Sequence, residues 1–462
     1  MTPYLDPRTA RRRFTVVTFL FWLPVGLYLP ALVLLPTERG FSVAAIAGLF
    51  AVYSLTVAAL ELPTGGLSDV IGRRPVLVAA GVLNLAALVL FAVGTTAWVL
   101  TLAMLLLGAG RALSSGPAEA WYVDTVQAHS GWDAELRTGL ARAGTASATA
   151  LAAGTLIGGA LPWLLGLGPD PGAWLAEATS GVVLPLSAPG LLGGAVVIAF
   201  MGFVLTRLPE PPRPPATLRG VVAGVPATVI GGLRLGARDR LVRRLLLTAC
   251  ATGAALGTIE LLMPGRASAL TGAPESGAAV FAGLACGGFA CTAVGSHLAP
   301  FLARVAGDAD RAVFAGLGAM ATGLLVLTVS VACSGVRALV LLVVGYALVY
   351  LALGAAGPNE NELLHGRVSG AHRATALSVQ SLALQALGAV IGLLAAALPQ
   401  GPFRWLPGAL LLVAGALLWV RRDRGDGVGA AGGGDGSGYR RDRAESPHAD
   451  AAASTTRAGA GA

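Results

Sequence analysis

Four charged side chains fall inside long apolar stretches of the sequence and are the first candidates for chemistry. Arg111 lies in the middle of one stretch with Glu119 eight residues later, while Glu61 and Glu260 lie in two others. An ionised side chain at the bilayer centre costs at least about 2.5–3.5 kcal/mol, so each needs a partner or a function. Apolar surroundings favour the neutral form of a carboxyl group, which can then take up and release a proton. The three glutamates are therefore candidates for proton coupling, and Arg111 is a candidate for a charge facing a central cavity.

The sequence leaves an alternative open for each of these side chains. Arg111 could be a structural arginine that pairs with a neighbouring helix, and each glutamate could be locked in an ion pair. Glu119 lies near the same helix face as Arg111 but beyond the usual i,i+4 contact. Glu61 could equally belong to a gate at the end of its stretch. The residue types do not choose among the three glutamates.

The composition indicates a membrane protein. Of 462 residues, 55% are hydrophobic and 12% are charged, against about 25% charged in ordinary soluble domains. Twelve apolar runs are long enough to cross a bilayer, and they are predicted to be helices because a backbone in hydrocarbon must satisfy its own hydrogen bonds. The predicted spans are 14–36, 42–63, 75–95, 98–122, 141–166, 185–207, 244–264, 277–299, 312–333, 337–357, 375–398 and 403–421.

Arginine is distributed unevenly among the connectors, and lysine is absent. The two tails and the even-numbered connectors contain most of the arginines, while each connector on the other side contains at most one. Because cytoplasmic loops carry the excess of positive charge, the chain is predicted to be a multi-pass protein of the plasma (inner) membrane with both termini cytoplasmic. The net charge of +8 does not indicate nucleic-acid binding, since the charges form no basic face interleaved with aromatic residues.

The longest internal connector divides the predicted spans into two groups of six. The predicted organisation is a cytoplasmic tail (1–13), an N-terminal six-helix half (14–207), a cytoplasmic linker (208–243), a C-terminal six-helix half (244–421) and a cytoplasmic tail (422–462). The last segment has almost no large apolar residue, so it is predicted to be disordered. The predicted fold class is an all-α membrane protein with twelve transmembrane helices in two halves.

A short polar loop from Gly65 to Arg74 follows the second predicted span and reads Gly-Gly-Leu-Ser-Asp-Val-Ile-Gly-Arg-Arg. This pattern resembles the signature loop of the major facilitator superfamily of transporters. The loop departs from the family pattern at Val70, where a basic residue is usual. The resemblance covers about residues 14–421 and implies the major facilitator fold. The matching positions are Gly65, Leu67, Asp69, Gly72, Arg73 and Arg74.

The same resemblance implies a conformational latch on the cytoplasmic side. Asp69 is expected to cap the N-terminus of the eleventh helix, where the helix dipole favours an acid, and Arg73 to bridge to Asp124 at the end of the fourth. The alternative is a solvated loop that only sets topology. The expected latch residues are Gly65, Asp69, Gly72, Arg73, Arg74 and Asp124.

Two further stretches resemble motifs of the superfamily. Arg111, followed by Gly116, is similar to its fourth-helix motif, with the glycine one residue late. The fifth span carries small residues at four-residue spacing, including Gly154 and Gly158, similar to a glycine-rich motif of the family's drug exporters; Thr155 stands where a proline is typical. Small residues at this spacing allow close helix approach.

The resemblance implies a secondary transporter that works by alternating access around a central site. The expected function is proton-coupled efflux of a small drug-like or metabolite molecule; proton-coupled import of a metabolite is the alternative, and a non-transporting membrane sensor is a third possibility. The expected partners are a small-molecule substrate and the lipid bilayer, in a monomer, with no cofactor other than the proton gradient as energy source. An enzyme is not expected, because the sequence has no nucleotide-binding loop, metal-spaced histidine cluster or nucleophile elbow.

Overall fold

The structure is a computed structural model that describes residues 5–65, 67–114, 116–131, 134–167, 169–210, 239–367 and 370–420. Within these ranges all regular secondary structure is helical, and twelve segments are long and apolar enough to cross a membrane. The predicted all-α fold with twelve spans is confirmed. Most of the predicted linker and the whole predicted tail lie outside the described ranges.

The spans follow one another in the predicted order and are numbered here from 1 to 12. Two shorter helices, Leu67–Ile71 and Pro171–Ala178, lie between spans 2 and 3 and between spans 5 and 6. In order, the spans are Pro7–Glu38, Val43–Glu61, Arg73–Val93, Ala97–Ser130, Arg137–Leu165, Pro185–Arg207, Arg240–Thr271, Pro274–Ala306, Ala309–Val331, Gly335–Leu364, Val379–Ala397 and Pro402–Val420.

Span 4 is broken into two helices, Ala97–Ser114 and Pro117–Ser130. Gly116 has a φ of 96°, a left-handed conformation that favours glycine, and Pro117 takes the first helical position, where no N–H is needed. Arg111 and Glu119 therefore do not share one continuous helix, which corrects the expectation that they lie near the same helical face.

Several helices continue past the apolar runs that predicted them. The helices of spans 2 and 11 are Val43–Gly65 and Gly370–Ala397, and the helix of span 10 is Gly335–Arg367. Hydropathy detects only the part of a helix that sits in hydrocarbon, whereas the hydrogen-bonded backbone continues into the interface. Glu360 consequently lies on the helix of span 10 rather than in a connector.

Each half has its own buried core. In the N-terminal half, Trp121 and Tyr122 of span 4 are buried, and the Tyr122 ring stacks on Phe14 of span 1 with centroids 4.8 Å apart. In the C-terminal half, buried Trp419 of span 12 donates its indole N–H to the Thr248 hydroxyl of span 7 at 3.0 Å. The indole N–H thus keeps a hydrogen-bond partner while the ring is buried.

The glycine-rich stretch of span 5 lies at two close helix contacts. A Cβ at Gly154 would stand 2.5 Å from the Leu23 carbonyl oxygen of span 1, and a Cβ at Gly159 would meet Ala282 of span 8 in the other half. Spans 2 and 11 also pack against each other across the two halves. The small residues thus serve packing both within the N-terminal half and between the halves.

The two halves use the same arginine contact at equivalent places. Arg39, after span 1, donates to the carbonyls of Phe91 at 3.0 Å and Gly94 at 2.7 Å, at the end of span 3. Arg266, in span 7, donates to the carbonyls of Ser330 and Cys333, at the end of span 9. Helix C-termini leave carbonyls without intrahelical partners and favour cations. The shared contact indicates that the halves are structural repeats.

Candidate functional site: a central cavity between the halves

The halves meet in an apolar cluster at one end of the bundle. The end where span 1 begins is called the N-terminal side, and the other end the opposite side. Val33, Ile46, Leu261 and Ala396, from spans 1, 2, 7 and 11, are all buried in this cluster. These residues lie near the opposite-side ends of their spans, so the cluster closes the centre of the bundle on that side.

A cavity of about 280 Å³ lies beside this cluster and takes its walls from both halves. Five spans contribute: 1, 2 and 4 from the first half and 7 and 11 from the second. Most of the lining is aliphatic or aromatic, which is typical of small-molecule sites. Its polar side chains are those of Tyr28, Tyr53, Ser54, Glu260 and Gln385.

Glu260 is the only charged side chain among the described residues that line this cavity. It lies on the cavity-facing side of span 7, where it is exposed to the cavity space. Within the described ranges it forms no hydrogen bond or ion pair. The alternative that this glutamate is locked in an ion pair is therefore not seen among the described residues, and its carboxylate is available to a ligand or a proton.

Arg111 lies in an adjoining compartment of about 80 Å³. Its guanidinium carbon is 5.3 Å from the ring centroid of Trp22, which is within cation–π distance. Asn84 lines the same compartment. Arg111 donates no side-chain hydrogen bond to any described residue. Its contact with a neighbouring helix is the one with Trp22 of span 1, so both the structural and the cavity-facing interpretations of Arg111 stay open.

Tyr28 and Tyr53 belong to the walls of both compartments. Since Arg111 lines one compartment and Glu260 the other, the two tyrosines lie where the compartments meet. Sequence reasoning missed them. The available signal was the amphipathic type of the residue, because a tyrosine in an apolar span needs a partner for its hydroxyl.

A third compartment, of about 430 Å³, continues toward the N-terminal side. Arg111, Trp22 and Phe21 are shared with the second compartment, and Ser114 and Glu119 are part of the new wall. Glu119 is exposed, and its side chain pairs with none of the described residues. The three compartments form a sequence from the N-terminal side to Glu260, whereas the apolar cluster lies beyond Glu260.

Glu61 lies outside the three compartments. One of its carboxylate oxygens is buried without a hydrogen bond to a described residue. The structure therefore brings Arg111 and Glu260 to the central compartments, places Glu119 at their entrance, and separates Glu61 from them.

The predicted loop residues partly come together. Arg73 pairs with Asp124 at 3.2 Å and donates to the Ser68 hydroxyl at 2.6 Å. All three residues belong to the N-terminal half, so this ion pair joins the loop to span 4 and does not join the halves. The Asp69 side chain lies outside the described residues, and its expected contact with span 11 stays a prediction.

The loop has an additional partner that sequence reasoning missed. Glu210, which follows span 6, accepts the backbone N–H groups of Arg73 at 2.8 Å and Arg74 at 3.1 Å. An acid is favoured at these unsatisfied N–H groups at the start of span 3. Gly72 precedes them with a φ of 108°, and the Arg74 side chain donates to the Leu205 carbonyl. The one sequence signal was an isolated acid between prolines after span 6.

No group of three metal-ligating side chains occurs in the described ranges. The structural comparison gives similar solved chains at low sequence identity. A nucleoside transporter, NupG, is 14% identical, with a TM-score of 0.67 over 89% of this chain and 98% of that one. A bacterial homologue of the human lysosomal transporter Spinster, in an inward-facing unoccupied conformation, is 17% identical (TM-score 0.65; 91% and 95% covered). A bacterial homologue of the human drug peptide transporters PepT1 and PepT2 is 15% identical (TM-score 0.61; 90% and 97% covered).

These structural similarities concern the fold alone. No curated protein sequence matches the chain significantly. The family model of the Major Facilitator Superfamily, however, matches residues 14–393, which include all the described compartments and the signature loop. The chain therefore belongs to the Major Facilitator Superfamily of membrane transporters.

Proposed function

We propose that the chain is a proton-coupled exporter of a small drug-like or metabolite molecule, with Glu260 as the proton-binding group. The observation that carries the proposal is the position of Glu260, which is the one charged residue of the described lining of a cavity shared by both halves. A carboxylate at such a place can be neutralised by a proton or by a ligand, and the two compete.

The orientation proposed from the arginine distribution assigns each end of this cavity to one side of the membrane. With both termini in the cytoplasm of a plasma (inner) membrane protein, the apolar cluster of Val33, Ile46, Leu261 and Ala396 closes the external side. The compartments of Arg111 and Glu119 then lead to the cytoplasm. A substrate collected from the cytoplasm would reach Glu260 by this route, and opening of the apolar cluster would release it outside.

The signature loop is proposed to stabilise the alternative, outward-open arrangement. Arg73, Asp124 and Glu210 fix the loop to the N-terminal half, and Asp69 is the residue that would reach the N-terminal end of span 11 in the other half. In this proposal the first three residues position the loop, and Asp69 forms the contact that is made and broken.

The proposal of an exporter is tested by measuring how much of each compound in a panel accumulates in cells that lack their own exporters. Expression of the chain should lower accumulation of at least one compound, and a proton uncoupler should restore it. Glu260→Gln should abolish the effect at unchanged expression, because amide and carboxyl differ in proton binding while their sizes match. Glu177→Gln, an exposed change on the short helix between spans 5 and 6, is the matched control.

The direction of the change in compound accumulation distinguishes export from uptake. Raised accumulation that depends on Glu260 would establish uptake, the alternative function. Export that persists in Glu260→Gln and is insensitive to the uncoupler would overturn proton coupling through this residue.

A further inference from the structure

We infer that the substrate is a dipolar amphiphile, with a basic nitrogen that binds Glu260 and a carboxylate or similar anionic group that binds Arg111. The inference rests on the proposed function only in taking the central compartments as the substrate site. It names a class of ligand that neither the family nor the fold specifies.

Two unpaired charges of opposite sign are the starting observation. Arg111 belongs to span 4 in the first half and Glu260 to span 7 in the second, and neither forms an ion pair or a side-chain hydrogen bond with another described residue. Both lie within helices that cross the membrane. A charged side chain within a membrane span is costly unless it has a counter-charge or hydrogen-bond partners. A ligand that supplies both counter-charges would satisfy both groups at once.

The two charges do not satisfy each other, because they lie in different compartments. Arg111 lines the compartment that also contains Asn84, and Glu260 lines the larger cavity. Tyr28 and Tyr53 are shared by the walls of the two compartments. The ligand must therefore be long enough to carry its own charges past these tyrosines, which excludes a molecule whose two charges are adjacent.

The Arg111 side chain is suited to bind an anionic group. Its guanidinium carbon lies over the Trp22 ring, 5.3 Å from the centroid, and its N–H groups donate to no described residue, so they are free to bind a ligand. A guanidinium edge matches the two oxygens of a carboxylate. An amine would be repelled from this compartment by the same charge.

The body of the ligand is apolar or aromatic. Between the two charges the lining includes Val25 and Leu107, which belong to both compartments, and Phe50 in the larger one. The cavities of about 280 and 80 Å³ suit a small molecule rather than a polymer. A purely cationic or purely anionic molecule of this size would leave one of the two protein charges without a partner.

The test is binding to the purified full-length chain in lipid nanodiscs. The probes are 4-(ω-aminoalkyl)benzoic acids with alkyl chains of increasing length, each compared with its methyl ester, which is only a cation, and its N-acetyl derivative, which is only an anion. At the best length, the zwitterion should bind at least about tenfold more tightly than either derivative.

The protein variants make the assignment specific. Arg111→Gln should weaken binding of the zwitterion and of the anion by about tenfold or more, while binding of the cation stays unchanged. Glu260→Gln should weaken binding of the zwitterion and of the cation, while binding of the anion stays unchanged. A general loss of structure would lower all three together. Arg142→Gln and Glu177→Gln, both at exposed positions, should change none of them.

Three results would overturn the inference. They are binding of the cation as tight as that of the zwitterion, a zwitterion affinity that is unchanged in Arg111→Gln, and no binding of any zwitterion in the series. These outcomes are separable from failure of the proposed function. Tight, charge-specific binding without proton-driven transport would refute the exporter alone, and uncoupler-sensitive export with binding indifferent to Arg111 would refute the substrate class alone.

Discussion

At the scale of the residue, four charged side chains in or next to the spans divide into two kinds. Arg39 and Arg266 use their guanidinium groups to satisfy carbonyls at helix ends, and they are structural. Arg111 and Glu260 face cavity space without an ionic partner among the described residues. An unpaired charge in the membrane is costly. The substrate and the proton are therefore expected to bind at Arg111 and Glu260.

The ion pair of Arg73 with Asp124 gives the first prediction. Arg73→Gln and Asp124→Asn should each lower the melting temperature of the purified protein, and the double variant should lower it by less than the sum. The coupling should be about 0.5–1 kcal/mol, since the side chain of Asp124 is one-third exposed. Strict additivity in this double-mutant cycle would mean that the pair contributes no stability.

Sequence reasoning identified Arg111 and Glu260 because an ionisable residue in an apolar run is unusual whatever its surroundings. It could not distinguish them from Glu61, because the direction of a side chain around a helix axis depends on the packing of several helices. It also missed Glu210 and Tyr53. The first acts through backbone N–H groups distant in the chain, and the second has a residue type common in apolar helices.

At the scale of the element, glycine spacing sets which helices can touch. Span 5 presents Gly154 to the backbone of span 1 and Gly159 to span 8. The four-residue spacing was readable in the sequence as a site of close approach, but the partner helices were not. The break in span 4 at Gly116 was also unforeseen, because an apolar run continues through it and hydropathy does not detect a positive φ.

Two alanine substitutions on span 5 test the role of close packing. Gly154→Ala should destabilise the protein by about 1–3 kcal/mol, because its Cβ would stand 2.5 Å from a carbonyl oxygen of span 1. Gly144→Ala, on the same helix with open space around the new Cβ, should be neutral or slightly stabilising because alanine is the better helix former. Thermal unfolding in detergent measures both, and equal effects would contradict the packing account.

The arginine contacts at the helix ends give a third prediction. Arg39→Gln should lower stability by about 1.5–3 kcal/mol, because it removes charge-assisted hydrogen bonds to the end of span 3. Arg337→Gln is the matched control, since Arg337 is exposed on the same side of the bundle and donates to no described residue. If thermal unfolding shows the same small effect for both variants, the contact of Arg39 is not a stabilising one.

At the scale of the whole molecule, two repeated halves enclose a cavity that is closed on one side. Twelve spans and their order were predictable because the bilayer fixes the length and polarity of every crossing segment. The closure of one side could not be predicted, because apolar residues that face lipid and apolar residues that face the other half look alike in a sequence. The residues that form it are Val33, Ile46, Leu261 and Ala396. The conformational state is a property of that contact between halves.

The central claim is that this cavity opens alternately to the two sides of the membrane. The most direct measurement is labelling of a single cysteine at Ser54, a cavity-lining residue of span 2, by a membrane-impermeant thiol reagent in right-side-out and inverted vesicles. The variant is Ser54→Cys in a chain whose four native cysteines are replaced by alanine, and Ser187→Cys, which is fully buried, controls for general loosening.

The account predicts labelling from both sides in Ser54→Cys and from neither side in the control. Labelling should be faster from the side of the termini, because the structure is closed on the opposite side. Because Ile46 lies in the apolar cluster that closes the opposite side, Ile46→Asp should raise the rate of labelling from that side. Labelling of Ser54→Cys from one side only, under all conditions including Ile46→Asp, would contradict alternating access through this cavity.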